Sequence, residues 1–349
     1  MRPAIRPATP ADGPAIAALL VETFALPRDH PGLEARGLHW KYWLERSDWT
    51  GPRSFVLQHG ADIVAHAGAM PGSCAWQGGR IRTMHLIDLA ARPHAIGAGV
   101  ALMKHIGRKT DALLAIGGSA PLLAILATVG FQPFGEATGY VRPLRPLTRL
   151  MGAPKPTWRL APQVVRSALW TATGMTRRAR NWHIQRLGVE DILGAALSLP
   201  TPTAGMAVLE RSPALFRYML SCPSTPMALY RIDHGAGRAR GYFLLSYAPG
   251  QARLADCWVD SGESEDWISL IRLALQTAKK DSQSAELVTL CNDAIISNAL
   301  VACGFRARTI SKVQMLATSG ASIPGVGVRV QMLDNDSVFL HAGQPDFWA

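Results

Sequence analysis

The alternation of apolar and polar positions predicts a helix near the N-terminus, followed by an antiparallel meander. The run Thr9-Pro10-Ala11-Asp12 is a helix-start signal, and helical spacing after it is kept by Ile16, Leu19, Leu20 and Phe24. Short apolar strands separated by glycine turns are predicted at 54–57, 63–67, 74–76 and 82–90. A helix from Val100 to near Lys109, a strand at 112–116, a helix at 120–129 and a strand through Tyr140 complete the unit.

A second unit repeats this order of elements. A helix through Tyr218 precedes strands at 228–232, 241–246 and 253–259, a helix at 266–278, a strand at 287–290 and a helix at 293–303. Two local signals also recur at almost the same separation: an aromatic-basic-tyrosine run at 39–44 and 215–220, and a Gly-Phe pair at 130–131 and 304–305. We therefore predict an α/β (α+β) protein of two similar units, residues 1–145 and 196–349, each with a mixed, mostly antiparallel sheet flanked by helices.

Residues 146–195 interrupt the repeat and are predicted to form a basic, helical connector. Its arginines alternate with tryptophans: Arg159, Arg166, Arg177, Arg178, Arg180 and Arg186 with Trp158, Trp170 and Trp182. We interpret it as a solvated linker whose tryptophans pack on a neighbouring part of the protein. The alternative is a peripheral contact with a membrane surface or with nucleic acid.

Composition indicates a folded protein that attracts anionic partners. Hydrophobic residues make up 48% of the chain and charged residues 17%, and the formal net charge is +11. The five cysteines have no Cys-x-x-Cys spacing, so we expect reduced core thiols, with neither a disulfide framework nor a metal site. No apolar run is long enough for a membrane span and no secretory signal begins the sequence, so a cytoplasmic location is predicted.

One glycine-containing loop is suited to bind phosphate. Gly97-Ala98-Gly99-Val100 follows the last strand of the meander and begins a helix, so backbone N–H groups and the positive end of the helix point to one place. The second unit has no such loop, and acidic residues crowd the corresponding stretch: Asp256, Asp260, Glu263, Glu265 and Asp266. Because like charge opposes a bound pyrophosphate, we expect the second unit to form a wall of the acceptor cleft instead.

The first unit resembles the GCN5-related N-acetyltransferases, and the tandem arrangement is similar to the two-domain members of that superfamily. The resemblance covers residues 1–145 and is carried by Ile5-Arg6-Pro7-Ala8 before the helix start, by Ala91-Arg92-Pro93 before the loop and by Val129-Gly130-Phe131. The family's loop begins with Arg or Gln, and that position is Ile96 or His94 here, depending on the register.

This resemblance implies acetyl-CoA or another acyl-CoA as co-substrate, without a metal. It assigns the pantetheine arm to the backbone of Leu89, Ala90 and Ala91 on the fourth strand, which parts from the fifth. Ser119 is a further candidate contact, although a helix N-cap is its simpler role. The pyrophosphate is assigned to backbone donors of the loop: Gly97, Ala98, Gly99, Val100 and Ala101.

The acceptor amine must lose a proton, so the resemblance implies a base close to the fourth strand. Asp88 is the first candidate and His85 the second; because they are three residues apart on an extended strand, they are predicted to point to opposite faces. His66 is a further candidate. Many family members protonate the departing thiolate with a tyrosine four residues before the Gly-Phe pair, which is Leu126 here, and Tyr140 is the candidate substitute.

We therefore predict an acyltransferase that passes an acetyl or other acyl group from acyl-CoA to the amine of a small molecule or peptide by direct attack. The first alternative is a carrier-dependent transferase that takes its donor from an acidic acyl-carrier protein or an aminoacyl-tRNA, as Fem-type ligases do. The second alternative is a non-catalytic protein that keeps only the fold. Nucleic acid is otherwise disfavoured as a partner, and the basic connector is the candidate for membrane contact.

Overall fold

The computed structural model describes residues 3–145, 165–166, 168–171, 181–235, 240–318, 320–341, 343 and 347–348. Much of the predicted connector, including Trp158, Arg159 and Arg177, lies outside the described residues. Trp170 is described and buried, and its indole N–H donates to Gly304 O at 2.7 Å. This tryptophan of the connector therefore packs on the second copy of the repeat.

The first copy contains the elements that its sequence pattern predicts. Its strands are β1 (Ala4–Pro7), β2 (Ser54–His59), β3 (Asp62–Trp76), β4 (Gly79–Ala91), β5 (Ala112–Ile116) and β6 (Gln132–Pro143). Its helices are α1 (Gly13–Phe24), α2 (Ala35–Leu38), which continues as a π-helical turn at His39–Trp43, α3 (Ala98–Gly107) and α4 (Ala120–Val129). The two strands predicted at 63–67 and 74–76 are one strand, β3. Pro71 fits inside it because β2 pairs only as far as Gly68 and β8 pairs only from Cys74, so the missing N–H lies at an open edge.

Strand β7 (Trp182–Leu187) lies within the predicted connector, where a helix is expected. The described part of the second copy begins with β8 (Met206–Leu209) and α5 (Pro213–Leu220). It continues with β9 (Met227–His234), β10 (Arg240–Ala248), β11 (Gln251–Val259), α6 (Ser264–Ala278), β12 (Glu286–Cys291), α7 (Ala294–Ala302), β13 (Arg306–Ala317) and β14 (Gly327–Arg329). The elements from α5 to α7 follow the predicted order. The pattern does not predict β7, β8, β13 or β14.

All the described strands join one sheet, in which the two copies exchange their last strands. The main path is β1-β2-β3-β4-β5-β13-β6-β12-β11-β10-β9-β7, while β8 pairs with β3 and β14 pairs with β8. Strand β13 of the second copy lies between β5 and β6 of the first, and β6 of the first lies between β13 and β12 of the second. The copies are therefore interleaved, and each completes the sheet of the other.

The repeated aromatic-basic-tyrosine runs pack on each other where the copies meet. The rings of Trp40 and Tyr218 stack with centroids 4.6 Å apart and an interplanar angle of 6°. Trp40 Nε1 donates to Tyr218 O at 3.1 Å, and the Tyr218 hydroxyl donates to Trp40 O at 2.9 Å. This contact fixes the position of the neighbouring residues Lys41 and Tyr42.

In α1, burial follows the predicted apolar positions with one exception. Ile16, Leu19 and Leu20 of α1 are fully buried, but Phe24 is 45% exposed. Phe24 is the last residue of the helix, and Ala25 after it turns left-handed with φ 51°, so the side chain leaves the buried face. The five cysteines are buried and free, as expected for reduced core thiols.

A segment near the C-terminus, residues 331–340, passes between the copies; we call it the crossing segment. It is built from two 3₁₀ turns, Met332–Asp334 and Asp336–Val338. The second copy holds its backbone, since Ser246 Oγ donates to Val338 O at 2.9 Å and Thr225 Oγ1 donates to Phe339 O at 2.8 Å. Beyond it, the Trp348 N–H donates to Glu286 at 2.7 Å.

Arg211 clamps the beginning of the crossing segment. Its guanidinium donates to both oxygens of Asp334 at 2.7 and 2.9 Å and to both oxygens of Asp256 at 2.9 Å. The Tyr242 hydroxyl also donates to Asp256, at 2.6 Å. The Arg211 side chain is 4% exposed, so this is a buried, fully bidentate ionic network.

Candidate functional site

Strands β4 and β5 separate within the first copy. Their parallel pairing joins only residues 83–85 to residues 112–114. Beyond that point β4 pairs with β3 alone, and Ala115 and Ile116 of β5 pair with β13. Throughout residues 79–116, all of which are described, no other strand enters the gap. A V-shaped opening results, in which backbone groups of β4 have no strand partner on one side.

A β-bulge in β4 determines the direction of Asp88. His66 pairs with Ala90 but Gly68 pairs with Ile87, which leaves one extra residue in β4. Asp88 lies in this bulge with φ 50°, a left-handed conformation that Asp adopts more readily than most residues. The bulge therefore interrupts the alternation of side chains along the strand.

The prediction that His85 and Asp88 point to opposite faces of the sheet is wrong. Regular alternation would separate residues three apart, but the extra residue returns Asp88 to the face of Ile87 and His85. Asp88 contacts Tyr42 on this face, and His85 lines a cavity there with Leu333 of the crossing segment. Both candidate side chains consequently face the junction between the copies.

The Asp88 carboxylate is the centre of a buried cluster. Its Oδ2 accepts from Lys41 Nζ at 2.6 Å and from the Tyr42 hydroxyl at 2.5 Å. The Lys41 and Asp88 side chains are only 2% and 11% exposed. Tyr42 reaches Asp88 across Gly68, where an added Cβ would lie 2.7 Å from the tyrosine ring. Glycine at 68 is therefore required for this contact.

Burial and charge act in opposite directions at Asp88. Burial raises the pKa of Asp88, but the ammonium of Lys41 and the hydrogen bonds from Lys41 and Tyr42 outweigh it, so the pKa lies below its usual value. Burial, together with the charge of Asp88, raises the pKa of Tyr42 well above its usual value. At neutral pH the cluster is thus an ionised carboxylate with a neutral phenol. A carboxylate engaged by a buried ammonium is a poor proton acceptor.

His66 supports the bulge. Its Nδ1 donates to Asp88 O at 3.1 Å, since a carbonyl can only accept, and its Nε2 accepts from Ser54 Oγ at 2.9 Å. Burial lowers the pKa of His66 to about 4, so the ring is neutral near pH 7. Because both ring nitrogens are engaged, His66 holds the backbone of Asp88 in place.

His85 lies at the closed end of the opening, in the last residue pair between β4 and β5. It is 6% exposed, burial lowers its pKa to about 4, and its Nδ1 has no hydrogen-bond partner among the described residues. The ring borders a small cavity of ≈ 50 Å³ with Leu114. A larger cavity of ≈ 450 Å³ between the copies shares Gly72, Arg211 and Leu215 with it.

The loop predicted to bind pyrophosphate adjoins the opening. Gly97 is the N-cap of α3 with φ 79°, which glycine adopts at no steric cost. The first N–H groups of the helix, including those of Gly99 and Val100, have no acceptor within the helix. A Cβ at Gly99 would lie 3.9 Å from the Leu89 side chain, so the loop contacts the strand that carries the predicted pantetheine contacts. Residues 89–91 and 97–101 are thus brought together.

The remaining predicted site residues are Ser119 and Tyr140. Ser119 is the exposed N-cap of α4, and its side chain makes no capping hydrogen bond. Tyr140 lies on β6 opposite Thr289 and Ala307 and is buried in the core of the second copy. The fold therefore does not bring Tyr140 to the Asp88 cluster.

In the second copy the equivalent opening is filled by protein. Strands β11 and β12 pair only from Gln251 to Arg253 and then separate. The Gln331 side chain enters this gap, where it donates to Cys257 O at 2.9 Å and accepts from Cys257 N at 3.0 Å. Its backbone forms a bridge with Cys291 on the other side. The crossing segment thus begins by closing the opening of the second copy.

The crossing segment then reaches the opening of the first copy. Asn335 Nδ2 donates to Ile116 O, at the end of β5, at 2.9 Å. The only sign of this segment in the sequence is a polar run, 334–337, between the apolar pairs 332–333 and 338–339, and it does not indicate a site. Lys41 and Tyr42 were visible in the repeated motif, but their contact with Asp88 depends on tertiary structure.

Among the described residues, no group of three or more His, Cys, Asp or Glu side chains is placed to hold a metal ion. None of the described helices combines the length and hydropathy needed to cross a membrane.

Comparison with known proteins relates this architecture to solved structures. No family model matches the sequence, and no curated protein matches it. A conserved protein of unknown function from Enterococcus faecalis V583, described as a probable N-acyltransferase, is similar with TM-score 0.58 and 13% identity over 91% of this chain and 72% of that chain. A GCN5-related N-acetyltransferase from Anabaena variabilis ATCC 29413 is similar with TM-score 0.56 and 12% identity. The match covers 90% of this chain and 72% of that chain. Saccharomyces cerevisiae N-myristoyltransferase with bound myristoyl-CoA is similar with TM-score 0.59 and 13% identity. The match covers 90% of this chain and 82% of that chain.

Proposed function

We propose that this chain, which has the fold of the GCN5-related N-acetyltransferases in two interleaved copies, transfers an acyl group from acyl-CoA to an amine. The observation that carries the proposal is the opening between β4 and β5 beside the N-terminus of α3. The opening offers unpaired backbone groups to a pantetheine arm, and the helix offers N–H donors to a pyrophosphate. No other described part of the chain combines these two features.

The donor would lie along β4 and α3. Backbone groups of Leu89, Ala90 and Ala91 would hold the pantetheine arm, and those of residues 97–101 would hold the pyrophosphate. The thioester would then lie near the bulge at Asp88, with His85 at the closed end. Since the cavity at that end is only ≈ 50 Å³, the site favours a short acyl group such as acetyl. Ser119 remains a candidate contact to CoA.

The acceptor would enter between the copies. The ≈ 450 Å³ cavity is lined by β3 and β4 of the first copy and by Arg211 and Leu215 of the second, and it leads toward His85. Its rim carries paired charges, such as Arg80 with Glu210 and Arg82 with Asp111. A polar small molecule or a peptide amine suits such a lining. The second copy would thus serve as a wall of the acceptor cleft.

A single donor site per chain is supported by the contrast between the copies. Gln331 occupies the opening of the second copy, and α6 begins there with Glu265 and Asp266. Negative charge at a helix N-terminus is stabilising by itself and repels a pyrophosphate. Outside the donor site, the net charge of +11 would attract an acidic carrier protein or, through the connector, a membrane surface.

Calorimetric titration with acetyl-CoA tests the donor site. We expect the parent to bind and Gly99→Glu to lower the affinity at least about 100-fold, because a carboxylate would project among the phosphate donors. The matched control is Gly262→Glu, which places the same charge before α6 of the second copy. An added Cβ meets no atom within 4 Å at Gly262 and only the Leu89 side chain at Gly99, so both variants should fold.

The two variants also separate the alternatives. Equal loss of binding in Gly99→Glu and Gly262→Glu would contradict a donor site in the first copy. If the folded parent binds no acetyl-CoA at millimolar concentration, the acyl-CoA proposal fails, and a carrier-bound donor or a non-catalytic role becomes the better explanation.

A further inference from the structure

We propose that Asp336, on the crossing segment, is the proton acceptor of the acyl transfer and takes its proton from the acceptor amine at the mouth of the opening between β4 and β5. This inference rests on the proposed function above. Asp336 is separated from β4 by more than two hundred residues in sequence, and only the interleaving of the copies brings it there.

The position of Asp336 follows from contacts on both sides of it. The residue before it, Asn335, is hydrogen-bonded to Ile116 O at the end of β5. Asp336 itself lies within electrostatic range of Asp88 and Lys41, at the bulge of β4. The crossing segment is therefore bonded to the end of β5 through Asn335, and Asp336 lies near enough to β4 to feel the charges of Asp88 and Lys41.

The crossing segment holds Asp336 rigidly. Arg211 clamps the segment two residues earlier, at Asp334. Ser246 fixes it two residues later, through Val338 O, and the Asn335 side chain accepts from Ser337 N at 2.8 Å. A group held in this way loses little entropy when it acts on a bound substrate, as a catalytic group requires.

The carboxylate of Asp336 differs from that of Asp88 in its partners. Asp88 accepts two short hydrogen bonds and is neutralised by Lys41. The Asp336 carboxylate accepts hydrogen bonds only from backbone N–H groups, its own and that of Ser337. Among the described residues, no side chain donates to it or forms an ion pair with it. Of the two acidic groups at the opening, Asp336 is the one without a cationic partner in direct contact.

The charges around Asp336 prepare it for this role. Burial and the negative charge of Asp88 raise its pKa to about 6, although Lys41 acts in the opposite direction. Tyr42, which also faces it, is neutral. The carboxylate is ionised at neutral pH and yet basic enough to accept a proton there, which is the condition for efficient general-base catalysis.

The proton balance of the reaction is simple. Asp336 takes one proton from the ammonium form of the acceptor, and the neutral nitrogen forms a bond to the thioester carbon. The carbon–sulfur bond breaks, and the second proton of the nitrogen passes to the departing CoA thiolate. The products are the N-acyl amide, CoA thiol and a protonated Asp336, which returns its proton to solvent.

Thiol release from acetyl-CoA with two amines tests the role. Ethylamine is protonated at neutral pH, whereas hydroxylamine is largely unprotonated and needs no base. We expect Asp336→Asn to lower kcat/KM with ethylamine about 100-fold and to leave hydroxylamine almost unaffected. With ethylamine, the parent rate should level off above about pH 6, whereas the variant rate should keep rising with pH as free amine accumulates. Glu190→Gln, an exposed carboxylate remote from the site, is the control and should match the parent.

A second measurement does not depend on catalysis. The pKa of Asp336 is about 6 in the folded protein and about 3.9 in the unfolded chain. Between these two pH values, the folded parent therefore holds a proton that the unfolded chain has released. Its stability should therefore fall as pH rises through this window, and Asp336→Asn should lack that fall. Denaturant unfolding at pH 4 and pH 7 compares the two.

Each outcome decides between the explanations. An equal loss with both amines, or an unchanged dependence of stability on pH, would overturn the role of Asp336. Parent protein that binds acetyl-CoA but releases no thiol with either amine would also overturn it while leaving the donor site intact. Absence of acetyl-CoA binding would instead reject the proposed function itself.

Discussion

Replacement of Arg211 by methionine will lower the free energy of unfolding by about 3–5 kcal/mol. The substitution keeps an apolar side chain in the space but leaves the carboxylates of Asp256 and Asp334 buried without their cation. The loss of stability arises mainly from those two uncompensated charges and less from the lost attraction of the two ion pairs. Denaturant unfolding at neutral pH measures this loss.

The comparison variant is Arg80→Met. Arg80 also binds a carboxylate, that of Glu210, at 2.5 Å, but its side chain is 68% exposed, so water replaces the lost partner. We expect a loss of at most about 1 kcal/mol. Similar losses in the two variants would show that burial of the Arg211 network has no special energetic weight.

The pH dependence of the Arg211→Met variant follows from the same physics. Burial already raises the pKa of Asp256, with Arg211 acting against it, so removing the cation raises the pKa further. The folded variant then takes up protons at a pH where the unfolded chain does not. Its deficit in stability relative to the parent should therefore shrink on acidification. The clamp also holds the crossing segment, so the proposed acyl transfer should fall together with stability.

Replacement of Asp88 by asparagine will cost about 3 kcal/mol of stability, because Lys41 is left charged and buried. Asparagine tolerates the left-handed conformation at φ 50° and nearly preserves the volume, so backbone strain contributes little. Lys41→Met should cost a similar amount by leaving Asp88 with Tyr42 alone. The double variant should lose less than the sum of the two, with a coupling energy of about 1–3 kcal/mol.

A matched control for the Asp88 cycle is Asp111→Asn. Asp111 pairs with Arg82 at 3.6 Å, and the Arg82 and Asp111 side chains are 62% and 34% exposed, so its loss should cost less than about 1 kcal/mol. The Asp88 contribution also has a defined pH dependence. Its folded pKa lies below the unfolded value of about 3.9, so the stabilisation is complete above that value and is lost as pH falls through the folded pKa. If the effects of Asp88→Asn and Lys41→Met on stability were additive, Asp88 and Lys41 would not be energetically coupled, and the interpretation of the cluster would be wrong.

Much of the secondary structure could be predicted from the sequence, because its cause is local. Helix α1 follows from its start signal and from the spacing of Ile16, Leu19 and Leu20. The meander and the order of α6, β12 and α7 follow from apolar alternation and turn residues. The predicted start of α7 at residue 293 is confirmed, since Asp293 Oδ1 accepts from Ile295 N at 2.9 Å as a helix cap.

The candidate site could be predicted only in part. The loop predicted to bind phosphate is a local feature, and its Gly99 does lie beside Leu89. The direction of Asp88 could not be inferred, because the β-bulge arises from the register between β3 and β4 and is invisible in the alternation of one strand. Tyr140 was a reasonable candidate only while β6 was assigned to the sheet of its own copy.

The repeat, the order of elements within each copy and the single glycine loop could be predicted without a structure, since they depend on neighbouring residues and on short periodicities. Nothing local indicates that β6 and β13 change places, or that the crossing segment fills one opening with Gln331 and brings Asp336 toward the other. The physical reason is that strand exchange satisfies the same backbone hydrogen bonds as pairing within a copy. The apolar pattern of either strand is therefore compatible with both arrangements, and only packing of the whole chain distinguishes them.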